Sequence, residues 1–233
     1  MNPLRNLAES FGYNLERRDR QVVAMENVRR IIGRFGVDCV LDVGAHKGGY
    51  GRSLRRVGYR GAIASFEPQA SAFAILEQTI VGLQPWTAHR TALGDTRGTL
   101  QLVSHRRSDL ASLLPLNRFG EQTYGPGLSG MESVQITRGD EIWDIVAGAS
   151  SKVFLKCDTQ GFDLKVLEGF GRKLDQVVGV QVEASFIPIY EKMPDWSELA
   201  AYLIERGFSV SGFYPVSRSD DLKIVEADMM FVR

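Results

Sequence analysis

Short apolar runs alternate with helix-like segments along most of this chain, and this alternation limits the possible folds more than any other feature. Continuous apolar runs of this length are typical of strands that are buried on both faces. Consecutive parallel strands need helical crossovers, so the pattern predicts an α/β fold, a mostly parallel central sheet with helices on both faces. The predicted strands are 37–43, 62–66, 86–93, 152–157 and 177–183, with two short strands at 100–104 and 134–137, and the predicted helices between them are 50–57, 69–82 and 163–174.

The end of the chain breaks the alternation. A helix is predicted over 196–206, and two apolar segments, 208–214 and 229–232, follow with no helical pattern between them. Strands joined without a helix pair in antiparallel fashion. We therefore expect a seven-stranded sheet that ends in a C-terminal antiparallel hairpin. The Gly-, Ser- and Pro-rich stretch 117–133 predicts a loop, which we interpret as a lid over a binding site.

The first 36 residues differ from the rest. Residues 1–20 are polar and weakly patterned, whereas apolar residues recur at helical spacing from Val22 to Phe35, with arginines between them. We predict an N-terminal arm and amphipathic helix over 1–36 and a single domain over 37–233. The apolar face of this helix could pack on the sheet edge or on a second subunit, so a homodimer stays open.

Composition excludes several classes of protein. The 233 residues contain 28 Lys+Arg and 28 Asp+Glu, a balance that argues against a nucleic-acid-coating protein. No apolar run approaches the roughly 18 residues that a membrane-spanning helix needs. The charged start of the chain is unlike a secretory signal. Cys39 and Cys157 each lie in an apolar run, so we expect buried thiols, no disulfide framework and a cytoplasmic location.

A glycine-bearing turn follows the first strand, in the sequence Asp42-Val43-Gly44-Ala45-His46-Lys47-Gly48. A dinucleotide site needs a second glycine where His46 stands, and no phosphate-binding G-K-[ST] follows. A carboxylate before the turn, Asp42, would repel a pyrophosphate but suits a ligand with an amino group, such as S-adenosylmethionine, or it orients the loop. The alternative is that Gly44 and Gly48 only make a tight connection between strand and helix.

The next two strand ends add candidate ligand contacts. The second strand ends in Glu67-Pro68, and an acidic residue about 20 positions beyond the glycine turn can bind both ribose hydroxyls of a nucleoside. The alternative role for Glu67 is to complement the dipole of the following helix. The third strand ends in Ala92-Leu93, small and apolar groups that could line an adenine slot.

Together these motifs resemble the FkbM family of S-adenosylmethionine-dependent methyltransferases. The matching stretches are VLDVGAHKGGY (40–50), SFEP (65–68), TALGD (91–95), ASLL (111–114), FLKCDTQGFDLKVLEGF (154–170), VQVEASFIPIYEKMP (180–194), YLIERGF (202–208) and EADMMFVR (226–233). One departure is Asp163, which stands where the family usually has Glu. The resemblance implies a Rossmann-like class I methyltransferase fold and O-methylation, commonly of a sugar or polyketide hydroxyl.

The resemblance also implies a set of cofactor-binding positions. S-adenosylmethionine is the expected cofactor, with the glycine turn as the cofactor loop, Glu67 on the ribose and the third strand end near the adenine. The expected cofactor-binding residues are Asp42, Gly44, Ala45, His46, Gly48, Glu67, Pro68, Ala92 and Leu93.

Residues at later strand ends are candidates for catalysis, since a hydroxyl acceptor is a poor nucleophile that a positioned base assists. Asp158 ends the fourth strand, Glu183 ends the fifth, and Gln160 lies in the same turn as Asp158. We predict Asp158 and Glu183 as acidic catalytic groups and Gln160 as a positioning amide. The alternatives are that Asp158 caps the following helix and that Glu183 pairs with an arginine. Two carboxylates are few for a hard cation, so we predict no metal.

Three functions compete at this point. The first is an S-adenosylmethionine-dependent O-methyltransferase that acts on a small-molecule or glycan hydroxyl, with no nucleic-acid partner. The second is a catalytically inactive nucleotide-binding or scaffold module of the same fold. The third, a nicotinamide-dependent oxidoreductase, is disfavoured because His46 occupies the position where that class needs glycine.

Overall fold

The computed structural model describes residues 20–105, 111–125, 128–148, 150 and 152–233. The arm predicted over 1–20 lies almost wholly outside the described residues, as do Arg106 and Arg107. Within the described residues, no helix is both long enough and apolar enough to cross a membrane.

A seven-stranded sheet forms the centre of the fold, in the order β3-β2-β1-β7-β8-β10-β9. Its strands are β1 Cys39–Val43, β2 Ala62–Phe66, β3 Trp86–His89, β7 Val153–Cys157, β8 Val177–Ser185, β9 Ser209–Arg218 and β10 Ile224–Val232. Strands β3, β2, β1, β7 and β8 pair in parallel, whereas β10 is antiparallel to both β8 and β9. The predicted mostly parallel sheet with a C-terminal antiparallel hairpin is confirmed.

Helices cover both faces of this sheet. They are α1 Arg20–Phe35, α2 Gly49–Arg56, α3 Ala70–Ile80, α4 Arg118–Tyr124, α5 Gly139–Val146, α6 Asp163–Gly169 and α7 Trp196–Glu205, with a 3-10 helix at Gly171–Gln176. Neighbouring residues of β1 point to opposite faces, so Val40 and Leu41 belong to different apolar clusters. Each strand of the sheet centre therefore has to be apolar on both sides, which explains the continuous runs in the sequence.

Helix α1 packs on the sheet. Its buried residues Val28 and Ile31 share an apolar cluster with Val40, Phe154 and Met230 of the central strands. The sheet thus covers the apolar face of this helix, but through its central strands and not only at the sheet edge that the sequence suggested. The domain boundary near residue 36 and the homodimer stay predictions.

The short strands predicted over 100–104 and 134–137 are confirmed within longer strands, but their pairing into a second sheet was not predicted. This sheet consists of β4 Ala92–Gly94, β5 Gly98–His105 and β6 Leu128–Arg138, in the order β4-β6-β5. The single strand predicted over 86–93 was wrong, because the chain turns after His89, where the backbone N–H of Thr91 donates to the His89 carbonyl, and continues as β4 in the other sheet. Trp86 and Leu93 are both buried, so the apolar pattern runs through this change of sheet.

The predicted loop over 117–133 was also wrong. Asn117 caps α4 by accepting a hydrogen bond from the backbone N–H of Gly120 at 2.9 Å, and β6 begins at Leu128. Helix α5 was missed altogether. Residues 126 and 127 lie outside the described residues, so the interpretation of this stretch as a lid stays a prediction.

The topology positions the site. From β1 the chain adds β2 and β3 on one side, and β7 and β8 lie on the other side of β1. In open α/β sheets, ligands bind outside the carboxyl ends of the strands at this point of reversal. The turns after β1, β2, β7 and β8 all lie at that edge. Because β10 runs the opposite way, the start of β10 lies at the same edge.

Candidate active site

A cavity of about 560 Å³ opens at this edge of the sheet. Ligand pockets in proteins usually have volumes of 300–1,000 Å³, so the cavity is large enough for a nucleoside and an acceptor group. Part of its lining comes from β1, β2, β4 and β5, and part comes from α4, β8, β9 and β10, with the turn after β7 between them. Its charged lining residues are Glu67, Asp158, Glu183, Glu226 and Asp228.

The glycine turn after β1 packs directly on the turn after β7. Gly44 has φ +74°, and a Cβ there would overlap the carbonyl oxygen of Asp158. The backbone N–H of Asp158 donates to the Val43 carbonyl at 3.1 Å. Glycine is required at position 44 for both its left-handed backbone and this close approach. The two turns therefore form one unit at the floor of the cavity.

The rest of the turn shapes the start of α2. Gly48 has φ +81°, and a Cβ there would lie 2.9 Å from the Leu76 side chain. Ala45 is buried, and its backbone N–H donates to the Phe66 carbonyl. Gly44 and His46 line the cavity, but Ala45 and Gly48 do not. The position of these two residues suits a structural role in the loop.

Asp42 lies beneath the cofactor loop and does not line the cavity. Its side chain is 0% exposed and pairs with the ammonium of Lys156, at 3.1 Å between Nζ and Oδ1. Ser65 Oγ donates to the other carboxylate oxygen at 3.1 Å. Of the two roles predicted for Asp42, orientation of the loop is the one that this geometry favours.

Lys156 was not predicted as a site residue. Its side chain is 6% exposed, and its Nζ donates to the carbonyl oxygens of Gly44 at 2.8 Å and Val43 at 3.3 Å. The same Nζ lies 3.6 Å from a carboxylate oxygen of Asp158. Burial lowers the pKa of Lys156, but Asp42 and Asp158 more than reverse this, so its pKa is raised and the ammonium stays charged.

Glu67 is buried at the end of β2 and lines the cavity. Its carboxylate accepts two backbone N–H bonds, from His46 at 2.8 Å and from Gln69 at 2.8 Å, so it ties the glycine turn to the start of α3. Burial raises the pKa of Glu67, and the two backbone hydrogen bonds oppose the rise. Carboxylate oxygens can accept further hydrogen bonds, so this geometry leaves the predicted ribose contact open.

Apolar groups line the cavity near Glu67. Ala92 and Leu93 of β4 and the predicted contact Pro68 are among them, and their role as an adenine slot stays a prediction. The second sheet adds Leu102 of β5, and the segment after it adds Leu113. Leu102 lies in a predicted strand and Leu113 in a matched stretch, but neither was assigned to the site because the pairing of these segments beside the central sheet was not predicted.

The three predicted catalytic residues form one hydrogen-bonded group. The Gln160 amide Nε2 donates to Glu183 at 2.8 Å and to Asp158 at 3.1 Å. Glu183 therefore does not need the arginine partner considered as an alternative, and Asp158 makes no hydrogen bond that caps α6 among those of the described residues. The catalytic roles of all three residues stay predictions.

Burial and neighbouring carboxylates act on this group. Burial first, and then Asp158, Glu226 and Asp228, raise the pKa of Glu183 well above its ordinary value. Asp228 lies directly opposite Glu183 across the antiparallel pair of β8 and β10. A carboxyl group with a raised pKa at a cavity wall is a candidate proton acceptor near neutral pH.

Strands β9 and β10 supply lining residues that were also missed. Glu226 accepts hydrogen bonds from the hydroxyls of Tyr124 at 3.2 Å and Ser217 at 2.9 Å. The matched stretch 226–233 contains both Glu226 and Asp228, so the signal was present, but only the reversed direction of β10 brings them to this edge.

In the described part of the chain, no group of three or more His, Cys, Asp or Glu side chains is arranged to hold a metal ion.

Comparison with known proteins agrees with these observations. Residues 42–210 match the family model described as the methyltransferase FkbM domain. This range includes the glycine turn, Glu67 and the three predicted catalytic residues. No curated protein matches the chain.

Solved structures share the fold. An rRNA methylase from Streptococcus thermophilus superposes with a TM-score of 0.50 at 10% sequence identity, over 94% of this chain and 99% of that chain. A Staphylococcus aureus protein assigned as a caffeoyl-CoA O-methyltransferase gives a TM-score of 0.51 at 9% identity, over 99% of this chain and 90% of that chain. The predicted Rossmann-like class I methyltransferase fold is confirmed.

Proposed function

Because the chain belongs to the FkbM methyltransferase family, with S-adenosylmethionine as its cofactor, we propose that it transfers a methyl group to a hydroxyl of a sugar, glycan or polyketide-type small molecule. One observation carries the proposal of O-transfer. The Asp158, Gln160 and Glu183 side chains are joined by hydrogen bonds at the wall of the cavity, beside the turn that packs on the cofactor loop.

The residues near β2 and β4 fit the cofactor. Glu67 would bind the ribose hydroxyls, and Pro68, Ala92 and Leu93 would contact the adenine. Gly44 and His46 of the cofactor loop would face the cofactor, while Asp42, Ala45 and Gly48 would hold the loop in shape from beneath. Gly44 lies directly against the Asp158 backbone, and a side chain at position 44 would push the two turns apart. Glycine at this position therefore keeps the two turns in the arrangement that forms the floor of the cavity.

The group formed by Asp158, Gln160 and Glu183, which we call the acid group, would activate the acceptor. The cofactor supplies a methyl group on a sulfonium, which is a good leaving group, so the protein has to align the acceptor and remove its proton. A carboxylate oxygen of Glu183 takes the proton of the acceptor hydroxyl as the new O–CH3 bond forms and the C–S bond breaks. The raised pKa of Glu183 makes it a stronger base than an exposed carboxylate. Asp158 and Gln160 hold the hydroxyl in line.

The lining also supports a polar acceptor. Tyr124, Gln160, Ser217 and Glu226 bring hydroxyl, amide and carboxylate groups to the lining of the cavity. These are groups that bind sugar hydroxyls, which favours a sugar or glycan over a largely apolar polyketide. The equal numbers of acidic and basic residues favour a small molecule over a nucleic acid as the acceptor.

The experiment has two steps. Thermal unfolding is measured with S-adenosylhomocysteine and, separately, with NAD, since a ligand that binds the native state raises the melting temperature. A panel of hydroxylated glycans and macrolides is then incubated with S-adenosylmethionine, and products are screened by mass for one added methyl group. We expect stabilisation by S-adenosylhomocysteine alone and a methylated sugar hydroxyl. Stabilisation without transfer to any acceptor would favour the inactive module instead.

A pair of variants ties the binding to this site. Glu67→Gln removes the charge of the carboxylate proposed to bind the ribose hydroxyls, and hydrogen bonds to charged groups are worth about 1.5–3 kcal/mol, so the dissociation constant of S-adenosylhomocysteine should rise roughly 10- to 100-fold. Glu77→Gln, on the exposed side of α3, is the matched control and should leave binding unchanged. Calorimetry measures both. Equal affinity in the two variants would exclude Glu67 from the cofactor site.

A further inference from the structure

Gln160 has an unusual backbone conformation. Its φ is +53°, in the left-handed region that residues other than glycine adopt at a cost. Ser112 Oγ donates to its carbonyl oxygen at 2.7 Å, which fixes the main chain from the side of the second sheet. This conformation directs the side-chain amide between Asp158 and Glu183. The residue that joins the two acids is therefore one of the non-glycine residues held in a strained backbone conformation.

Tyr190 contacts the other side of the same amide. Its hydroxyl donates to the Gln160 side-chain oxygen at 2.9 Å. The ring is 1% exposed, packs with Leu116, Ile189 and Val225, and does not line the cavity. Burial first, and then Glu226 and Glu183, raise the pKa of Tyr190, so its hydroxyl keeps the proton that it donates. The aromatic ring is thus placed to act on Gln160 and not on an acceptor.

We infer that Tyr190 is a positioning residue, which holds the Gln160 amide in the one orientation that presents both N–H bonds to Asp158 and Glu183. An amide carries its donors only on nitrogen. If the amide rotated by half a turn, its oxygen would face two carboxylates and its nitrogen would face a hydroxyl. The two carboxylates oppose this rotation, and the Tyr190 hydroxyl reinforces the observed orientation by donating to the amide oxygen. The inference rests on the proposed catalytic role of the acid group.

Loss of this contact should change the ionisation of the acid group. N–H donation favours the anionic form of a carboxyl group, so misplacing the amide favours the protonated form. The groups that act on Glu183 from the surrounding elements are Asp158 after β7, Asp163 of α6, Glu226 and Asp228 of β10, and the hydroxyls of Tyr124 and Tyr190. Tyr190→Phe removes a single oxygen atom and leaves all five of the other groups in place.

The test compares Tyr190→Phe with Tyr59→Phe. Tyr59 is also buried and also donates one hydrogen bond, to the Ala62 carbonyl at 3.1 Å, but it does not line the cavity. We expect Tyr190→Phe to lower kcat about 10-fold, to leave the affinity for S-adenosylhomocysteine unchanged and to move the acid limb of the pH–rate profile upward by about one unit. Tyr59→Phe should lower the melting temperature with kcat unchanged. Equal kcat values and equal pH profiles in the two variants would overturn the inference.

A double-mutant cycle separates positioning from general damage. Gln160→Met keeps the length of the side chain but removes the amide, so Tyr190→Phe should have little further effect on kcat in that background. Additive losses would show that Tyr190 acts by another route. Glu183 is also titrated by carboxyl carbon NMR in both tyrosine variants with S-adenosylhomocysteine. If the wild-type protein transfers no methyl group, the proposed function fails. The titration of Glu183 still tests the inference in that case. An upward shift in Tyr190→Phe alone supports the inference, and no shift rejects it.

Discussion

Lys156 is the residue on which both loops of the site depend. Its ammonium group contacts two carbonyl oxygens of the cofactor loop and two carboxylates, Asp42 beneath the loop and Asp158 at the cavity. Asp42 and Lys156 are direct partners in the register of β1 and β7. Two buried charges are tolerated here because each neutralises the other, and removing one of them leaves an uncompensated charge.

Lys156→Met should therefore destabilise the protein by about 3–5 kcal/mol, because it leaves the Asp42 carboxylate buried without its cation. The double variant Asp42→Asn with Lys156→Met should recover much of this loss, since the buried carboxylate is removed together with its cation and the remaining carboxylate, Asp158, is exposed to water. Urea unfolding measures the free energy of each variant. Lys152→Met, on an exposed residue just before β7, is the control and should change little. A double variant no more stable than Lys156→Met would contradict this account.

At the scale of elements, local patterns located most of the central sheet. The strand over 62–66 agrees residue for residue with β2, because a strand buried on both faces leaves an uninterrupted apolar run. The split of 86–93 into β3 and β4 was not predictable in the same way. Both halves are buried, so hydropathy does not reveal that the chain moves to another sheet between them.

The candidate site was predictable where its residues follow a strand in the chain. Glu67, Asp158 and Glu183 were found because the carboxyl ends of parallel strands meet at one edge. Glu226 and Asp228 were missed since they lie near the start of a strand, and only the antiparallel direction of β10 turns that start to the same edge. Lys156 and Tyr190 act through contacts with residues distant in sequence, which no local pattern records.

Gly44→Ala tests the contact between the turns after β1 and β7. The added Cβ would overlap the Asp158 carbonyl oxygen, and the backbone at φ +74° disfavours any side chain, so the turns must separate. We expect a stability loss above about 1 kcal/mol and a loss of S-adenosylhomocysteine binding. Chemical unfolding and calorimetry measure the two effects. Gly33→Ala, in α1 with no atom near the new Cβ, should gain up to about 1 kcal/mol.

Over the whole molecule, negative charge is concentrated at the site although the chain has no net charge. Asp158, Asp163, Glu183, Glu226 and Asp228 all lie at or next to the carboxyl edge of the sheet. Burial first, and then Asp158, raise the pKa of Asp163 to about 7, and burial also raises the pKa values of Glu67 and Glu183. The folded protein therefore holds a proton on Asp163 that the unfolded chain would release, which makes global stability depend on pH.

Asp163→Asn isolates one part of this dependence. The pKa of Asp163 is near 3.8 in the unfolded chain and about 7 in the folded protein, so between these values the folded state binds the extra proton. The free energy of unfolding then falls as pH rises through this window, by an amount on the order of a few kcal/mol, and levels off above pH 7. Asparagine carries no charge at any pH, so the variant should lack this part of the decline. The stability of the variant minus that of the wild type should therefore be larger at pH 8 than at pH 4.5. Urea unfolding at both pH values measures the difference, with the exposed Asp220→Asn as the control. If wild type and Asp163→Asn differ in stability by the same amount at both pH values, Asp163 is not the group that takes up the proton.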